Sequence, residues 1–66
     1  MTDIITRTAR ARMLTQARDR VGLRAHRTLG LSQDERERRE AYAQAARDEA
    51  ALLRALADEL ESLYSV

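Results

Sequence analysis

The chain has 66 residues, with twelve arginines, no lysine, eleven acidic residues and a net charge of +1. A chain of this length forms one small domain that hides only about 60% of its unfolded surface, so we expect a partner or a second copy to contribute stability. The near-neutral charge argues against a protein dedicated to nucleic acid, and the lack of cysteine excludes a disulfide framework.

The residue types predict an all-α protein with a single domain, residues 1–66. Ala, Arg, Leu and Glu dominate, proline is absent, and Gly22 and Gly30 are the only glycines, so helix formers greatly outnumber helix breakers. No apolar run approaches the ~18 residues of a membrane-spanning helix, and the N-terminus lacks the apolar segment of a signal peptide. We therefore expect a cytoplasmic protein that does not contact a membrane. Arginine in place of lysine is typical of a GC-rich bacterial or phage genome.

The first predicted element is a basic helix over about residues 3–29. Its apolar stripe is irregular, because Arg7 and Arg18 fall inside it. Gly22 costs about 1 kcal/mol relative to alanine in a helix interior, so a kink or break there, which would give three helices, is the alternative. The apolar members of the stripe are Ile4, Ala11, Leu14, Val21, Ala25 and Leu29.

A helix end followed at once by a helix start is predicted at residues 30–32. Gly30 suits the left-handed position after a helix, and Leu31 would then fold back toward Ala25. Ser32 begins a capping box, in which its hydroxyl and the carboxylate of Glu35 satisfy each other's backbone amides. Such a short connection makes the neighbouring helices antiparallel. The change from seven arginines against two acids before Ser32 to nine acids against five arginines after it also suits the two helix dipoles.

Helix two is predicted over residues 33–64. Residues 33–40 carry charge on all sides and should form a solvated tip. Glu49 falls inside the apolar stripe, where it either reaches solvent or pairs with Arg7 or Arg18 to set the register. The other members of the stripe recur at steps of three and four residues and are Tyr42, Ala46, Leu53, Leu56, Leu60 and Leu63.

Folding the chain between Gly30 and Leu31 places residue i opposite residue 61 − i. Helix two then extends past the start of helix one, and Leu60, Leu63, Tyr64 and Val66 have no counterpart in the hairpin. Burial of a large apolar side chain is worth about 1.5–3 kcal/mol, so we expect another molecule or copy to cover them. A four-helix bundle or coiled coil made from two copies would do so.

The sequence contains little that suggests catalysis. His26 is the only histidine, and at the basic end of helix one it is expected to interact with the helix dipole rather than with a metal. Ser32 and Asp34 lie nearby, but Ser32 is expected to serve as a cap. Glycine-rich phosphate loops and metal-spaced clusters are absent. We therefore predict a non-enzymatic protein without a catalytic residue, cofactor or metal.

Two functions remain. The first is a protein–protein interaction module, an adaptor, regulator or assembly component that binds itself or a larger protein through the apolar face of helix two. The second is a dimeric hairpin that binds nucleic acid through helix one, since arginine suits phosphate. The predicted interface residues are Leu53, Leu56, Leu60, Leu63 and Tyr64, and the arginines of the alternative are Arg7, Arg10, Arg12, Arg18 and Arg20.

Overall fold

A computed structural model describes residues 4–65, which form two α-helices and no strand. Helix α1 is Ile4–Leu29 and helix α2 is Glu35–Tyr64. They pack against each other in antiparallel directions, which confirms the predicted all-α hairpin. Residue 3, where helix one was expected to begin, lies outside the described residues, as does Val66.

Helix α1 continues through Gly22 without interruption, so the alternative with a break and three helices is wrong. Gly22 is half-buried, and a Cβ placed on it would meet nothing within 4 Å. Good helix formers on both sides, Arg20 and Arg24 among them, offset the local cost of one glycine.

The end of α1 is built on Gly30, whose φ of +56° lies in the left-handed region. Its N–H donates to the carbonyl of His26 at 3.0 Å, and the N–H of Ser32 donates to the carbonyl of Leu29 at 3.0 Å. The predicted role of Gly30 is confirmed. Leu31, however, is 98% exposed, so the expected contact between Leu31 and Ala25 is wrong.

The start of α2 is capped by Asp34 rather than by Ser32. One carboxylate oxygen of Asp34 accepts from the N–H groups of Arg36, at 2.8 Å, and Glu37, at 3.2 Å. The predicted capping box is therefore wrong, and α2 begins at Glu35. Serine and aspartate are comparable as caps, but a carboxylate also gains from the helix dipole. Ser32 instead donates its hydroxyl to the carboxylate of Glu37.

The core between the helices is made of small side chains. No large apolar side chain within residues 4–65 is fully buried, and Val21, Leu29 and Tyr42 are half-buried around the core. Small residues allow two helix backbones to approach closely, but they bury little apolar surface. The buried apolar residues are Ala17, Ala25, Ala41 and Ala45.

The helices touch near the connection and diverge toward the termini. Every residue of 4–16 and of 54–65 is exposed, and we call these two segments the open end. The molecule measures 48 × 27 × 14 Å. Its width exceeds the roughly 20 Å of two helices packed along their whole length. The buried residues of the contact are alanines, and the residues that follow them toward the open end are larger, namely Leu14 and Arg10 on α1 and Leu53 and Leu56 on α2.

The register of the hairpin differs from the predicted one. Arg20 pairs with Glu49, and the ring of His26 meets that of Tyr42, so residue i lies opposite residue 68 − i or 69 − i. The connection spans five residues rather than three, which accounts for part of the shift. Extension of α2 past the start of α1 is therefore wrong. The first turn of α2 projects at the connection instead, and residues 33–40 are exposed there, as predicted.

Candidate functional site

The main exposed apolar surface of α2 lies at the open end. Leu56 and Leu60 are each 59% exposed, Leu63 is 74% exposed and Tyr64 is 79% exposed. Leu56, Leu60 and Leu63 follow one another at steps of four and three residues, and Tyr64 is four residues after Leu60, so all four share one side of the helix. Leu53 begins the row and is half-buried against α1. We call Leu53, Leu56, Leu60, Leu63 and Tyr64 the leucine face.

The same side of α2 supplies the contact with α1 closer to the connection. Ala41, Ala45 and Glu49 are buried there, each four residues from the next. Ala46, which was predicted to point inward, is exposed. The leucine face therefore continues a surface that packs against a helix for its first half and is left uncovered for its second half.

The α1 side of the open end combines apolar and basic groups. Ile4, Met13 and Leu14 are all more than 60% exposed. A groove between the two helices is lined by Arg7, Arg10, Met13, Leu14 and Leu53, among others. Its lining combines apolar side chains with guanidinium groups, and comes mainly from α1, with Leu53 contributed by α2.

Glu49 is buried and joins the two helices through ion pairs with two partly exposed arginines of α1. The residue is 4% exposed. It accepts a hydrogen bond from the Nε of Arg20 at 2.8 Å and lies 3.6 Å from an Nη of Arg24. The expectation that Glu49 reaches solvent is wrong. Glu49 does pair with arginines of α1, but these are Arg20 and Arg24 rather than the predicted Arg7 or Arg18. These ion pairs set where α1 meets α2 and hence which residues reach the open end.

The arginines proposed for nucleic acid do not form one surface. Arg7, Arg10, Arg12 and Arg18 are exposed and form no ion pair within residues 4–65, whereas Arg20 is engaged by Glu49. Arg7 and Arg10 line the groove. Arg12 is two residues from Arg10 and hence lies on nearly the opposite side of the helix.

The polar residues near the connection, His26, Ser32 and Asp34, make local structural contacts. His26 contacts the ring of Tyr42 edge-on, with centroids 6.4 Å apart. Asp34 caps α2, and Ser32 bonds to Glu37. Residues 4–65 contain no group of three histidine, cysteine or acidic side chains placed to hold a metal.

Neither of the helices described combines the length and the hydropathy needed to cross a bilayer.

The sequence pattern did not identify most of the residues that join the two helices. Arg20 and Arg24 are spaced by four residues, as are Ala41, Ala45 and Glu49, so each set lies on one helix side. That spacing is the signal that could have found them. It was obscured by the neighbouring Ala46 and by the other arginines of helix one.

The sequence matches no protein-family model, and comparisons with curated proteins and with solved structures yield no significant match. The function must therefore be inferred from the geometry of the hairpin.

Proposed function

We propose that the protein is a non-enzymatic, cytoplasmic interaction module, an adaptor, regulator or assembly component, that binds another protein chain through the leucine face. One observation carries the proposal. The hairpin leaves Leu56, Leu60, Leu63 and Tyr64 at least 59% exposed on one side of α2, while its own buried apolar core consists of alanines. Contiguous exposed apolar surface marks interaction sites in small proteins.

The free energy available from burying these side chains supports the proposal. Burying a large apolar side chain contributes about 1.5–3 kcal/mol, so the four residues offer about 6–12 kcal/mol as an upper bound. Folded domains are stable by about 5–15 kcal/mol in total. The free energy available at this surface is therefore comparable to the stability of a whole domain. Because the core has no fully buried large side chain, this comparison supports the binding of a further chain.

The test is the double variant L60S/L63S. Molar mass by light scattering and helicity by circular dichroism are measured at micromolar concentration, and protein captured by the tagged chain is compared with wild type. We expect a loss of mass with reduced helicity if the chain binds itself, or loss of a captured partner if it binds another protein. Removing two leucine side chains should cost several kcal/mol of association.

The connection provides a matched control, L31S. Leu31 is 98% exposed at the opposite end of the molecule, so the same type of substitution should change neither mass, helicity nor capture. If L60S/L63S also leaves all three unchanged, the leucine face is not an interface and the proposal is wrong.

Nucleic-acid binding through α1 is the second candidate, supported by four exposed arginines without an ion pair among residues 4–65 (Arg7, Arg10, Arg12 and Arg18). Their distribution around the helix limits how many can reach one phosphate backbone. Measuring DNA and RNA binding as a function of salt decides the matter, because phosphate contacts release counterions. On duplex DNA the variant R10Q/R12Q should reduce the salt dependence by about 0.9 per lost contact if this candidate is correct.

A further inference from the structure

Resting on the proposed function, we propose that the leucine face is covered by a second copy of the chain, joined open end to open end. The α1 arm of each copy, residues 4–16, lies along the α2 arm of the other, residues 54–64. The result is an antiparallel four-helix assembly with twofold symmetry.

Charge is the main argument for a second copy. The α1 arm, residues 4–16, contains three arginines and no acid, whereas the α2 arm, residues 54–64, contains three acids, Asp58, Glu59 and Glu61, and one arginine, Arg54, at its start. The α1 arm is thus wholly basic, and the α2 arm is acidic on balance, with its acids in the part nearer the terminus. Charges beside an apolar seam determine which helices pair, and these charges favour α1 against α2 over either helix against itself.

The positions of these charges suit such a contact. Arg7 and Arg10 line the groove between the diverging helices. Glu59 lies three residues after Leu56 and four before Leu63, so it borders the leucine face. A leucine face inserted beside the α1 arm of another copy would therefore bring Glu59 close to arginines that lack an ion pair within residues 4–65.

The dimensions also match. At 1.5 Å per residue the two arms are about 16–20 Å long, so the arm of one copy fills the length of the groove in the other. An unrelated acceptor would need separate complements for the basic and the acidic arm. A twofold-related copy supplies both at once, because each contact occurs twice.

The test exchanges charges between the arms. One variant is R7E/R10E and the other is E59R/E61R. Wild type should have the mass of a dimer, twice the 7.5 kDa of the chain. Each variant alone should dimerise about tenfold more weakly or worse, because like charges meet at both contacts. An equimolar mixture should restore the dimer as a one-to-one complex, since both contacts are again between opposite charges.

The variant R12E/R54E is the control. It carries the same charge change as R7E/R10E on exposed residues that do not line the groove, so it should remain a dimer and should not exchange into complexes with E59R/E61R. Restoration on mixing also separates the proposal from closure of one hairpin on itself, because a second chain cannot repair an intramolecular contact. Should a variant be unfolded alone, regained helicity and mass on mixing still decide the matter.

Three results would overturn the second copy. These are a wild type that stays monomeric at high micromolar concentration, charge variants that dimerise like wild type, and a mixture that does not restore the dimer. None of them affects the proposed function, which fails only if L60S/L63S changes neither mass, helicity nor captured protein.

Discussion

Glu49 shows how one residue can position a whole surface. It is the only charged side chain that is buried within residues 4–65, and it lies in a row otherwise made of alanine and leucine. Two arginines of α1 converge on it, which makes one register favourable and leaves other registers with an unpaired buried charge. The residues that face outward at the open end depend on this choice.

Arg20 should therefore be coupled to Glu49. We expect R20A to lower the free energy of unfolding by about 1–3 kcal/mol, because it removes the direct hydrogen bond to a buried carboxylate. In an E49L background the same change should cost less than about 0.5 kcal/mol, since the arginine then has no buried partner. Urea unfolding at a fixed chain concentration measures both. R18A, an exposed arginine without a pair among residues 4–65, is the control, and equal costs of R20A in the two backgrounds would contradict the coupling.

At the scale of the helices, the connection contains two residues, Ser32 and Asp34, that look equally suited to cap α2 from the sequence. Ser32 and Asp34 are both good caps, but Asp34 is the residue that caps α2. The five-residue connection that results moves every α2 residue relative to α1. A local choice between two caps thus contributes to the register of the hairpin.

Substitution of the two candidate caps should distinguish them. D34A is expected to destabilise the protein by about 1 kcal/mol, because two N–H groups of the first turn of α2 lose their acceptor. S32A should cost less than half as much, since its hydroxyl bonds to the exposed carboxylate of Glu37 and accepts the N–H of Asp34 only at 3.4 Å, and it caps no N–H of the first turn of α2. Thermal unfolding by circular dichroism compares them. A larger cost for S32A would show that Ser32 is the cap in solution.

Gly22 offers a test of the continuity of α1. With open space around its missing Cβ and a helical backbone, G22A should stabilise the protein by about 0.5–1 kcal/mol. The same substitution at Gly30 is the matched contrast. Its φ of +56° makes G30A destabilising by about 1–2 kcal/mol. If G22A is instead destabilising, the helix bends at this point.

At the scale of the whole molecule, stability and association should be coupled. The buried apolar residues are alanines, and the large apolar side chains at the open end are exposed in the hairpin. If a second copy covers them, a tenfold increase in concentration should raise the thermal midpoint by about 5 °C. L31S should show the same dependence, and L60S/L63S should show none. A concentration-independent midpoint for wild type would mean that the hairpin is stable without another copy.

The sequence by itself determined the helical class, the antiparallel hairpin, the left-handed glycine at its turn and the charged tip of helix two. These features depend on local patterns, namely helix formers at a period of 3.6 residues, a glycine at a helix end and charge on all sides of a short segment. The members of the leucine face follow from the same period.

Only the tertiary structure decided the cap, the register, the partners of Glu49 and the divergence of the helices. Each depends on how the side chains of α1 and α2 fit against each other. Alanines form the contact near the connection, and the larger Leu14, Leu53 and Leu56 lie where the helices separate. Such a fit depends on both helix surfaces, so the periodicity along one helix cannot predict it. The leucine face is exposed because the helices diverge, and not because one helix is longer than the other.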